Sequence, residues 1–138
     1  MQNTEARTDE GYGIEQALTE LIFRRDLTVE QAVGRYFTDD YRQRTDGVWS
    51  ERAEFVEHIE HLRTVVDGGR VEVHQEVREG SRYADRHTVH IVKTDGASAS
   101  MEVYLFGELA ADGRLRRVQE TTLMLDGAEA DRGLGSAR

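Results

Sequence analysis

The chain has 138 residues and a formal net charge of −9, with 27 acidic against 18 basic residues and no cysteine or proline. The negative balance argues against nucleic acid and anionic membrane as partners, and the lack of cysteine removes disulfides, thiol nucleophiles and thiolate metal sites. No apolar run approaches the roughly 18 residues of a membrane span, and the polar stretch Met1 to Gly11 has no signal-peptide core, so one soluble, cytoplasmic domain is the expectation.

Residues 1–12 read as a disordered N-terminus. From Gly13, the apolar positions Ile14, Ala17, Leu18, Leu21 and Ile22 recur at helical spacing. Thr28 and Gln31 match a capping box, opening a second helix with Val29, Ala32, Val33, Tyr36 and Phe37 on its apolar stripe. Tyr41 to Thr45 reads as a short strand ending at the Asp46-Gly47 turn. Ser50 is placed to cap a third helix that buries Phe55, Val56, Ile59, Leu62 and Val66 and stops at Asp67-Gly68-Gly69.

The period then changes to two. Val71, Val73, Gln75 and Val77 alternate with charged or polar neighbours, and Glu79-Gly80-Ser81 turns the chain. Strands over about 83–94 and 98–110 meet across Asp95-Gly96, and Asp112-Gly113 leads into a last strand, Gly113 to Leu125. On that strand Val118, Glu120, Thr122 and Met124 share one face, while Leu115, Arg117, Gln119, Thr121 and Leu123 share the other. Residues 127–138, rich in Gly, Ala and charge, read as a flexible tail. The fold class is therefore α+β, with three N-terminal helices packed on a strongly curved antiparallel sheet that encloses a cavity between them.

This order of elements resembles the nuclear transport factor 2-like superfamily, in its SnoaL-like polyketide cyclase and ketosteroid isomerase-like branch. Phe37-Thr-Asp-Asp-Tyr41, Arg52-Ala-Glu-Phe55 and the hairpin Asp112-Gly-Arg-Leu115 carry the resemblance, which spans about residues 13–126. Set against the ketosteroid isomerases, the oxyanion tyrosine falls at Leu18 or Leu21, the general-base aspartate at Thr45 and the second oxyanion acid at Leu105, so steroid isomerisation by that mechanism is not expected. The cyclases place an acid on the final strand, where Glu120 stands. Their histidine on the preceding strand has no counterpart within 97–110. The register that the resemblance implies turns Arg86, Thr88, His90 and Val92 toward the cavity, with Met101, Val103, Leu105 and Gly107 on the next strand and Val118, Glu120 and Thr122 completing the wall.

On that register, Glu120 in a partly apolar pocket has its pKa raised by desolvation and can move a proton next to a carbonyl. His90 would take the complementary role, and Arg86 would stabilise a developing enolate. Tyr41, Gln43, Thr45 and Phe55 join the strand residues as the substrate-binding set. The alternative is that Glu120 merely pairs with Arg86 or Arg117. Asp46 is a second candidate acid if the strand slips by one residue. His58 and His61, within Glu57-His-Ile-Glu-His61, read as a solvated helix face rather than a metal site, and neither metal nor cofactor is expected.

The function expected is a cofactor-independent cyclase or isomerase acting on an apolar, polyketide-like carbonyl or polyene metabolite, as in antibiotic biosynthesis. The alternatives are a non-catalytic binder of an apolar ligand, or an epoxide hydrolase built on Asp85-Arg86. Tyr104, Phe106, Thr121 and Leu123 form an apolar outer sheet face, which points to a homodimer through that face. The resemblance implies the same.

Overall fold

The computed structural model describes residues 13–135. The N-terminal stretch 1–12 lies outside the described residues. The first helix, α1 (Ile14–Leu18), continues into a π-helical turn at Thr19–Phe23, where the Arg24 N–H donates to the Thr19 carbonyl five residues back. Helix α2 (Val29–Tyr36) starts at the expected capping box: the Thr28 hydroxyl accepts from the Gln31 N–H, and Gln31 accepts from the Thr28 N–H.

Strand β1 (Phe37–Thr45) begins directly after α2, four residues earlier than the sequence reading placed it. Asp46 and Gly47 both have positive φ, as a two-residue hairpin of the primed type requires, so the turn does not simply end a strand. It leads into a short edge strand, β2 (Val48–Glu51). Ser50 is consumed by that strand and pairs with Gln43. Glu51, not Ser50, therefore caps α3 (Arg52–Val65), with Glu54 reaching back to its N–H.

The remaining strands are β3 (Val66–Glu79), β4 (Arg82–Lys93), β5 (Ser98–Leu109) and β6 (Leu115–Asp126). Gly68-Gly69 does not separate helix from strand as the sequence suggested. It lies within β3, at an irregularity between Val66 and Gly68, and lets the strand start immediately after α3. A Cβ on Gly69 would stand 2.0 Å from the His90 carbonyl oxygen and 2.9 Å from the Phe23 ring. Gly69→Ala is therefore expected to cost about 2–3 kcal/mol, read as a lower urea midpoint, because the backbone of β4 cannot yield as a side-chain tip can.

The six strands form one sheet in the order β2-β1-β6-β5-β4-β3. It is mixed rather than purely antiparallel, because β1 runs parallel to β6. The helices pack on its inner face, and Ala17, Leu21, Ala32, Val33 and Leu115 are completely excluded from solvent. Leu115 faces inward despite its place in the outward set, because the register with β5 shifts between Glu108 and Leu109 and reverses the alternation there. The segment read as a flexible tail also contains ordered structure. Glu129–Gly135 forms a 3-10 helix, the Lys93 ammonium bonds Asp131 at 2.8 Å, and Leu134 packs on the core. Residues 136–138 lie outside the described residues. Among the described residues, no helix is long and apolar enough to cross a membrane.

Candidate active site

A cavity of about 120 Å³ lies between the helices and the inner face of the sheet. Its wall is mostly aliphatic and aromatic, with Ile14, Leu18 and Ile22 from the first helix, and Val103, Leu105 and Val118 from the sheet. Phe37, Tyr41 and Phe55 close one end with ring centroids 4.7–5.1 Å apart. The polar groups are few: Tyr41, Gln43, His58, His87, Ser100, Glu120 and Thr122.

Glu120 reaches the cavity from β6, as its alternation with Val118 and Thr122 dictates. It keeps some accessible surface because it lines a cavity rather than filling the packed core, yet burial raises its carboxyl pKa to about 7. The Thr45 hydroxyl, which donates to Oε2 at 2.9 Å, and the nearby His87 offset part of this rise, whereas Asp85 and Asp46 add to it. Among the described residues, no ion pair holds Glu120. Arg86 bonds Glu102 at 2.9 Å on the outer face, and Arg117 lies against the Trp49 ring, so the pairing alternative is overturned.

β4 faces the opposite way from the register read in the sequence. Asp85, His87, Val89 and Ile91 point inward, because His87 pairs with inward-facing Val103 and Asp85 with Leu105. Arg86, Thr88, His90 and Val92 therefore do not line the cavity. His90 instead contacts Ser100 at 3.0 Å and Glu72 at 2.9 Å, and Thr88 is buried against His74. Val92 is exposed. With Arg86 on the outer face, no arginine stands among the described residues that line the cavity, and they do not assemble the Asp–Arg–Asp arrangement of an epoxide hydrolase.

In their place β4 supplies His87, whose Nδ1 lies 2.5 Å from Oδ1 of Asp85, both side chains being almost wholly buried. An ionised carboxylate can only accept, so Nδ1 donates and Nε2 is left for the cavity that His87 lines. Among the described residues, no hydrogen bond is made to the second oxygen of Asp85, Oδ2, which is also buried. His58 is also buried on the cavity wall rather than on a solvated face, since it shares the helical stripe of Phe55, Ile59 and Leu62.

Of the other residues read from the sequence, Tyr41, Gln43, Phe55, Val103, Leu105, Val118 and Thr122 line the cavity. Thr45 lies behind it and supports Glu120. Asp46 is exposed, and both its oxygens are engaged by the backbone and hydroxyl of Thr122, at 2.8 and 2.5 Å, which makes it a clamp between β1 and β6. No cluster of three or more potential metal ligands occurs among the described residues.

An α+β cone whose helices cover an apolar cavity, with one desolvated acid and a buried imidazole on the sheet wall, defines a domain of the nuclear transport factor 2-like fold. The chain belongs to the SnoaL-like domain family, whose model matches residues 16–118. It is 35% identical over 103 residues to an uncharacterized protein of Schizosaccharomyces pombe, covering 75% of this chain and 78% of that protein. Similar solved structures include a candidate isomerase from Rhodopseudomonas palustris, with a TM-score of 0.65 at 13% identity over 86% of this chain and 90% of that one. Another is IdmH of Streptomyces antibioticus, a candidate polyketide cyclase, with a TM-score of 0.61 at 11% identity over 80% and 92% of the two chains. Identities this low bear on the fold alone, and the chemistry must come from the site.

Proposed function

We propose that the protein is an acid–base enzyme for a small, largely apolar carbonyl compound, catalysing an isomerisation or ring closure of the kind named for its cyclase and isomerase neighbours. The observation that carries this reading is the carboxyl of Glu120, held at the wall of an apolar cavity with a pKa near 7. A group so poised takes a proton from the carbon next to a carbonyl and returns it elsewhere near neutral pH. The C–H electron pair becomes the enolate double bond, and the carbonyl π pair moves to oxygen. Protonation at a second carbon by the Glu120 acid completes the isomerisation. In the ring closure the enolate carbon attacks another carbonyl of the same molecule, that carbonyl's π pair moves to its oxygen, and the alkoxide takes the proton held by Glu120, so neither route changes the oxidation state. His87, fixed by Asp85, serves the oxygen or carries the second proton, and Tyr41, Gln43, Phe55, Val103, Leu105, Val118 and Thr122 shape the pocket. A cavity of about 120 Å³ suits a ligand near benzene in size, smaller than the polyketide-like metabolite expected from sequence.

Solvent deuterium exchange tests the proposal. Cyclic ketones and enones of about six to ten heavy atoms are incubated with the protein in D₂O and followed by NMR. Exchange next to the carbonyl is expected, falling by about 100-fold or more in Glu120→Gln. Binding without exchange would instead identify a ligand carrier, and exchange undiminished in Glu120→Gln would remove the acid from the mechanism.

The homodimer is proposed on the outer sheet face, where Tyr104, Phe106, Leu123 and Leu125 are about half exposed or more and Phe106 is 70% exposed. Phe106→Glu is expected to shift sedimentation from dimer to monomer. A wild type that sediments as a monomer at all concentrations would defeat the assignment.

A further inference from the structure

The inward-facing side chains of β1 repeat every second residue, and three of them, Tyr41, Gln43 and Thr45, are nine-tenths buried or more. The Tyr41 hydroxyl donates to Oε1 of Gln43 at 2.7 Å, Nε2 of Gln43 donates to the Thr45 hydroxyl at 3.0 Å, and that hydroxyl donates to Oε2 of Glu120 at 2.9 Å. The parallel pairing of β1 with β6 sets Thr45 opposite Glu120 and so delivers the end of the chain to the carboxylate. We propose that Tyr41, Gln43 and Thr45 are positioning residues, forming a one-way hydrogen-bond relay that fixes the Glu120 carboxylate at the cavity wall and favours its charged form.

The direction of the relay follows from the donors available. An ionised carboxylate only accepts, so the single proton of Thr45 points at Glu120. The Thr45 oxygen must then accept from the amide NH₂ of Gln43, which turns the amide oxygen to Tyr41, and Tyr41 must donate. Burial raises the Tyr41 pKa well above its ordinary value, with the Glu120 charge adding to it, so the terminal donor stays protonated. The amide in the middle does not pass protons between its neighbours. The relay therefore orients and polarises; it does not conduct. Each bond in such a chain strengthens the next by about 10–30%.

A buried polar row that merely satisfied itself would behave differently on substitution. Loosening the wall admits water and lowers the Glu120 pKa, because burial is what holds it up. Cutting the relay removes a donor from the charged form and raises it. Among the described residues, the other titratable groups facing this region are Asp85 and His87 on β4, Asp46 in the β1–β2 turn and His58 on α3, while β5 contributes no titratable side chain, lining the cavity with Ala99, Ser100, Met101, Val103 and Leu105. All of these stay in place when the relay is cut.

The inference rests on Glu120 being the proton-carrying group, but its test needs no turnover. The carboxyl ¹³C signal of Glu120, assigned by its loss in Glu120→Gln, is titrated in wild type, Thr45→Val, Gln43→Met and Tyr41→Phe. The midpoint is expected to rise by about one pH unit in Thr45→Val. It should rise by a few tenths in Tyr41→Phe, which deletes a single oxygen two links away, with Gln43→Met between them. Should Thr45→Val fail to fold, the near-isosteric Tyr41→Phe decides alone. A wild-type midpoint near 7 that is unmoved or lowered in Tyr41→Phe overturns the relay and leaves the proposed function standing. A wild-type midpoint in the ordinary carboxylate range overturns the role of Glu120 itself.

Discussion

His87→Leu is expected to destabilise the protein by about 3–5 kcal/mol at pH 7, measured by urea unfolding. The imidazole and the Asp85 carboxylate are both almost fully buried, and Oδ1 of Asp85 accepts its hydrogen bond from Nδ1 of His87. Removing the ring takes away the hydrogen bond that Oδ1 accepts and strands the carboxylate in the protein interior. Asp85→Leu combined with His87→Leu should recover most of the loss, since it leaves no uncompensated charge. The double variant separates two roles for the pair. A folded double variant with no deuterium exchange is expected if the pair serves chemistry. If exchange persists, His87 takes no part in proton transfer and Glu120 acts without it.

Glu120→Gln should change stability in the opposite direction, and in a pH-dependent way. The folded-state pKa of about 7 stands above the unfolded value near 4.5. Between those values the folded protein holds a proton that the unfolded chain has released, so wild-type stability falls as pH rises through this window and levels off above about 7. A shift of this size corresponds to about 3 kcal/mol at most, and less if solvent reaches the carboxylate through the cavity. The glutamine keeps an acceptor for the Thr45 hydroxyl and has no charge to desolvate. It should therefore be more stable than wild type by about 1–3 kcal/mol at pH 8, with the gain shrinking toward zero near pH 4.5. Thermal unfolding across pH 4.5–8 measures the difference. An amide variant less stable than wild type at pH 8 would mean that the charge is welcomed by its surroundings, as in a structural pair.

Much of the architecture was legible because the period of the apolar residues changes sharply after Val66. The β5 and β6 alternations were also correctly phased: Val103, Leu105, Val118, Glu120 and Thr122 all reach the cavity. The phase of β4 was not, and the reason lies in its composition. Its inward set, Tyr83, Asp85, His87, Val89 and Ile91, carries the larger apolar side chains but is interrupted by the polar residues Asp85 and His87, which diluted the hydrophobic signal. A one-residue slip in a strand exchanges every side chain between faces, so a single wrong phase replaced His87 and Asp85 by His90 and Arg86. The apolar weight of Tyr83, Val89 and Ile91 was the available signal. His58 was missed for a related reason. Its acidic neighbours suggested a solvated face, although its spacing from Phe55, Ile59 and Leu62 placed it on the buried stripe. β2 was hidden because Ser50 suits a helix cap as well as a strand. The parallel pairing of β1 with β6 left no local signature, since it joins residues about 75 positions apart.

Titration of the Glu120 carboxyl in the wild-type protein, with and without a saturating benzene-sized ketone, tests the central claim most directly. A midpoint near 7 that moves when the ketone is added is the expected result, because the ligand seats against the acid and completes its desolvation. A midpoint near 4–5 that ignores the ketone would contradict the account. Glu120 would then be an ordinary solvated carboxylate, and the cavity would have no acid to work with.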